Sequence, residues 1–143
     1  MDFTKINWLG VVACVVASMV IGSIWFHRKT LYPMWWKAIG KTESDEQAMR
    51  NSNMAVMWGL TILGSLVLAI FMSLMVNAMG SMTGGVTLVS GLTAGFFLWL
   101  GFVAPTSLTN KVFAGQLKAW MLEAGNHLVT MLAMGAILGA WPK

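Results

Sequence analysis

Four long apolar runs, residues 6–26, 53–79, 86–110 and 118–141, leave this chain few ways to fold. Each is long enough, as a helix, to cross the roughly 30 Å hydrocarbon core of a bilayer. A segment in lipid has to satisfy its own backbone hydrogen bonds, which selects helix over open strand. Of the 143 residues, 57% are hydrophobic and only 10% are charged, too few to coat a soluble globule. The expected architecture is an all-α integral membrane four-helix bundle, forming one domain over residues 1–143.

The links between the runs differ in charge, and charge orients membrane helices. Residues 27–52 carry Arg28, Lys29, Lys37, Lys41 and Arg50, and Lys111 and Lys118 flank the third link, against Lys5 and Lys143 on the other side. Excess Lys and Arg mark cytoplasmic links, so both termini are expected outside. The net charge of +4 is spent on orientation rather than on a basic patch, and nucleic acid is not an expected partner. Cys14 is the single cysteine, which excludes an intramolecular disulfide. The first run lacks the positive upstream region of a cleaved signal peptide and is read as part of the mature chain.

The long first link has structure of its own. Pro33 can open a short helix through Met34, Trp35, Trp36 and Ile39 that ends at Gly40 and lies along the membrane surface. Thr42 can then cap a helix with Glu43, Asp45 and Glu46 in its first turn, and Glu46 reaches Arg50 at four-residue spacing. With no Gly or Pro between this second helix and the second apolar run, it is expected to continue from about Glu43 to about Met79. Trp8, Trp25, Trp35, Trp36, Trp120 and Trp141 are expected as interfacial anchors in a lipid bilayer.

Small residues recur every four positions: Gly10, Cys14, Ser18 and Gly22 in the first run, and Thr61, Ser65, Ala69 and Ser73 in the second. Gly91 with Gly95 and Gly135 with Gly139 repeat the spacing, which lets helices approach closely where lipid gives no hydrophobic drive for association.

The last run holds the one acidic residue found inside any apolar run, Glu123. Glu123, Asn126, His127 and Thr130 fall on one helical face. Pro105 frees a backbone carbonyl near Gly101, and Thr106 and Asn110 follow it at a similar depth, so a polar site of Glu123, Asn126, His127, Thr130, Asn110 and Thr106 is expected. Such a site can titrate or bind a cation, or simply fix helix register. No triad, HExxH or phosphate-binding loop is present, so an enzyme is not indicated. Met72, Met75, Met79 and Met82 share a helical spacing, but with no Cys or His at their depth no metal or other cofactor is expected. The abundance of packing tracks points to association, as a homo-oligomer or as an accessory subunit of a larger membrane protein. The alternative is a small proton- or cation-coupled transporter built on Glu123 and His127.

Several segments together carry a family resemblance: Ile6-Asn7-Trp8, Trp35 to Gly40 with Lys41-Thr42-Glu43, Leu98 to Ala104, Leu108-Thr109-Asn110, Asn126-His127-Leu128-Val129, and Met134 to Gly139. The chain resembles the domain-of-unknown-function 1761 family of small bacterial membrane proteins over essentially its whole length. The resemblance implies a four-helix integral membrane protein, with Asn110 and His127 matching polar positions of the family pattern. It implies no activity. His27-Arg28-Lys29 is more basic than that pattern.

Overall fold

A computed structural model describes residues 3–141; Lys143, counted above for orientation, and the other ends of the expected domain lie outside the described residues. The described residues are all-α. A short 3-10 turn, Phe3–Lys5, leads into α1 (Trp8–Trp25), followed by the small helices α2 (Tyr32–Ala38) and α3 (Glu43–Arg50). Then come α4 (Met54–Met82), α5 (Leu88–Leu98), a π-turn over Trp99–Val103, α6 (Ala104–Phe113) and α7 (Leu117–Ala140). Four helices are long and apolar enough to cross a membrane: Trp8–Trp25, Met54–Met82, the path Leu88–Phe113, and Leu117–Ala140.

The helix ends follow from local chemistry. Asn7 accepts from the Gly10 amide at 2.9 Å to start α1, and Thr42 and Asp45 form a reciprocal capping box that starts α3. A second box, Thr87 with Ser90, starts α5. Gly40 follows the end of α2 at φ +78°, a conformation that costs a side-chain-bearing residue more.

The helix expected from Glu43 to Met79 is instead two helices. Asn51 ends α3, and the Asn53 side chain accepts from the Val56 amide to begin α4. Three polar residues in a row, Asn51-Ser52-Asn53, satisfy the backbone better as caps than as helix interior, so the break needs neither Gly nor Pro. The third run is also not plain α-helix. Pro105 lacks the N–H that would reach the carbonyl of residue 101, and the preceding turn widens to a π-turn.

α5 and α7 meet through glycine. A Cβ added to Gly91 would collide with the carbonyl oxygen of Gly135, and one on Gly135 with that of Gly91. Gly95 abuts the Met131 carbonyl and Gly139 the Thr87 carbonyl in the same way, so the two backbones cross at the smallest separation their residues permit. On the other flank of α7, Cys14 donates its thiol to the Met134 carbonyl at 3.6 Å. Val11, Cys14, Ala69, Met72, Val76, Met131 and Met134 fill the centre.

The seam of α1 stops short of its expected length. Gly10, Cys14 and Ser18 are buried, whereas a Cβ on Gly22 would meet nothing within 4 Å. Gly22 is therefore not a close-packing position, because the helices have parted by that level. α4 makes the parting plain. Its buried residues are Ala69, Met72, Ser73, Leu74, Val76 and Gly80, all in the second half, while every residue from 55 to 64 is exposed. α4 packs along one half and splays away over the other.

Candidate functional site

The polar face of α7 divides into two places. At the first, the Glu123 carboxylate accepts from Lys111 Nζ at 2.9 Å and from Trp35 Nε1 at 2.8 Å. These bonds join α2, α6 and α7. Gln116 Nε2 adds a bond to the Ile39 carbonyl at 3.1 Å, fastening the end of α2 to the turn before α7. Two further indoles converge on this stretch: Trp25 Nε1 donates to the Leu122 carbonyl at 3.0 Å, and Trp99 Nε1 to the Ala124 carbonyl at 2.9 Å. Trp120 donates back to the Ala104 carbonyl at 3.1 Å, a position close to the π-turn.

Thr106 and Asn110 do not join this group. Both are exposed, and the cation that reaches Glu123 is Lys111, one position beyond Asn110. Arg28 and Arg50 are taken up elsewhere, both on Glu46, at 2.5 and 3.1 Å. One helical position is about 100° of rotation, so the same turn that points Lys111 at α7 points Asn110 away from it.

Asn126, His127 and Thr130 are at the second place. They line an open cleft of about 600 Å³ between α1, α4 and α7, formed where α4 splays. Ser18, Met19, Gly22, Ser23 and Phe26 of α1 form one wall, and Met54, Met57, Trp58, Thr61, Gly64, Ser65 and Leu68 of α4 the other. Asn126 is only 8% exposed, and its Nδ2 is buried with no hydrogen-bond partner. Thr130 is buried beside it, and His127 is open to the cleft. A buried amide donor left unpaired costs about 1–3 kcal/mol, so such a group is either strained or waiting for an acceptor.

Most of the tryptophans expected as interfacial anchors also bond within the chain. Trp25, Trp35, Trp36 and Trp120 are half-buried, each with its indole N–H bonded to protein; Trp36 donates to the Thr42 carbonyl at 2.8 Å. Trp141 is half-buried and Trp8 is 59% exposed. Trp99, which periodicity did not single out, belongs with the fastening group; its signal was its place beside the Pro105 disruption. The methionine spacing of α4 does not gather either, since Met72 is buried at 1% exposure and Met82 stands 84% exposed. Among the described residues no three His, Cys, Asp or Glu side chains come together as metal ligands.

No curated protein and no solved structure matches this sequence. The family model for a protein of unknown function, DUF1761, matches residues 9–139, which includes α7 up to Gly139, the fastening group around Glu123 and every residue of the cleft; the chain belongs to that family.

Proposed function

We propose that this protein is a membrane-embedded binding protein whose α1/α4/α7 cleft takes a neutral amphiphile. The apolar part of the ligand lies along Met19, Met57, Trp58 and Leu68, and a carbonyl or hydroxyl oxygen accepts from Asn126, with Thr130 and His127 beside it. The unpartnered, buried Nδ2 of Asn126 is the observation that carries this reading. In a hydrocarbon setting there is little water to take its place, and a pocket of this size and largely apolar lining is that of a small-molecule site. The protein then sits in the bacterial cytoplasmic membrane as a four-helix bundle, its charged first link inside and both termini outside, as the distribution of Lys and Arg favours.

Glu123 supports proton transport less well. Its carboxylate already holds Lys111 and Trp35, an arrangement suited to fixing three helices in register. The association expected from the packing tracks has a narrower basis, because Gly91, Gly95, Gly135 and Gly139 are used inside the chain. What favours it is the free half of α4, where Val56, Gly59, Leu63 and Val67 form an exposed face distinct from the cleft wall. A second copy pairing through that face gives a homodimer, and the mass of the mildly extracted protein tests it; a strict monomer contradicts it.

Native mass spectrometry of the detergent-purified protein with a long-chain alcohol tests the cleft. Wild type is expected to retain the alcohol, and Asn126→Leu to bind it about tenfold more weakly, the effect of one lost hydrogen bond to a buried amide. Equal retention by both, or none by wild type, contradicts the reading.

A further inference from the structure

A second concavity, of about 380 Å³, lies between the end of α1 and the two small helices, where the cytoplasmic face of the membrane would be. Its lining combines Tyr32, Pro33 and Trp36 with three cations, Arg28, Lys37 and Lys41, and two carboxylates, Glu43 and Glu46. The aromatic part is ordered: Tyr32 and Trp36 stack at 5.6 Å and 23°, with Trp35 packed against both.

The charges are not equally occupied. Glu46 is held by Arg28 and Arg50, which leaves Lys37, Lys41 and Glu43, and none of these three makes an ion pair among the described residues. The Tyr32 hydroxyl is buried without a hydrogen-bond partner. A phenol is protonated at neutral pH in any case, and burial with the Glu46 carboxylate nearby pushes its pKa further up. Beside the paired Arg28 and Glu46, two ammonium groups and one carboxylate without an ion pair, with a hydroxyl donor, thus line one pocket at interfacial depth, over an aromatic wall of the kind that suits headgroup level.

We infer that this pocket holds a phospholipid headgroup carrying a phosphate and a primary ammonium, the phosphate between Lys37, Lys41 and Tyr32 and the ammonium on Glu43. The mixed charge of the lining decides the class. A purely anionic headgroup leaves Glu43 opposed to it, and a quaternary ammonium has no N–H to donate to that carboxylate.

The test uses the whole protein in detergent, titrated separately with phosphatidylethanolamine, phosphatidylglycerol and phosphatidylcholine, with bound lipid read by native mass spectrometry. Wild type is expected to retain phosphatidylethanolamine in preference to the other two. Lys37→Gln with Lys41→Gln weakens retention on the order of tenfold, the effect of losing two interfacial cations. Glu43→Gln keeps retention but removes the preference for the primary ammonium over the quaternary one. Both lysines and Glu43 are exposed, so the variants keep the fold, and a thermal melt checks this. Equal retention of the three lipids, or a double variant that matches wild type, overturns the site. Soluble glycerophosphoethanolamine separates the two sources of the same chemistry. Displacement of the lipid by equimolar headgroup overturns the assignment to a lipid, and no displacement supports it.

Discussion

Trp35 and Glu123, 88 positions apart, are joined by an indole N–H to carboxylate bond of 2.8 Å, and Lys111 completes the carboxylate's shell at 2.9 Å. The short helix α2 is thereby anchored to the last apolar helix through a group that is costly to place near lipid. Glu123→Gln keeps an acceptor for both donors, whereas Glu123→Leu leaves an indole N–H and an ammonium without one. Glu123→Leu is expected to lose about 1–3 kcal/mol. Glu123→Gln loses distinctly less. Thermal melts of the two variants in one detergent check the order; equal losses contradict it.

Glycine is required at the α5/α7 crossing and idle at the end of α1. Gly91→Ala drives a methyl into the Gly135 carbonyl, and overpacking of this kind costs about 1–3 kcal/mol. Gly22→Ala meets open space on a helix, where Ala is favoured over Gly by about 0.5–1 kcal/mol. A lowered melting temperature for the first and an unchanged or raised one for the second are the expected results.

Asp45 gives α3 a pH dependence. The Thr42 amide and hydroxyl bonded to its carboxylate hold its pKa below the usual range. A lowered folded pKa stabilises above the unfolded carboxylate value of about 3.9, and the contribution disappears as pH falls through the lower folded value. Protection of the α3 amides from hydrogen exchange, corrected for intrinsic rates, is expected to fall over that window in wild type. Asp45→Asn is expected to reduce that fall without abolishing it, because Glu46 on the same helix is still paired with Arg28 and Arg50; a pH profile identical to wild type contradicts the role of the cap.

The proposed orientation is open to labelling. Cys14 is buried, so single cysteines introduced elsewhere report alone. Ser81→Cys, in the exposed last turn of α4, is expected to react with a membrane-impermeant thiol reagent on intact cells, and Lys41→Cys only after permeabilisation. The reverse pattern inverts the topology.

Much of the fold is legible in the sequence, because run length and glycine spacing are local signals. The short helix at Pro33 and the Thr42 cap follow from residue type alone, and the glycine spacings mark close-packing faces, although which glycines meet, Gly91 with Gly135, is seen only in the fold. The break at Asn51-Ser52-Asn53 did not, since polar caps compete with helix only by a margin that depends on what lies beyond them. The site was legible only as a set of polar residues on one face. Its division into a closed group at Glu123 and an open cleft at Asn126 depends on where α4 diverges. That divergence is a packing outcome between distant helices, which periodicity within one helix does not encode.

The occupancy of that cleft is tested most directly by photo-crosslinking in a lipid bilayer. A long-chain alcohol with a diazirine near its hydroxyl is added to the reconstituted protein and the labelled residues are mapped by peptide mass spectrometry. Labels are expected to concentrate on Met19, Met57, Trp58 and Thr61, which line the cleft with Asn126, and to be lost in Asn126→Leu. Labels spread evenly over outward apolar residues such as Leu9, Phe97 and Phe102, unchanged by that substitution, would contradict it.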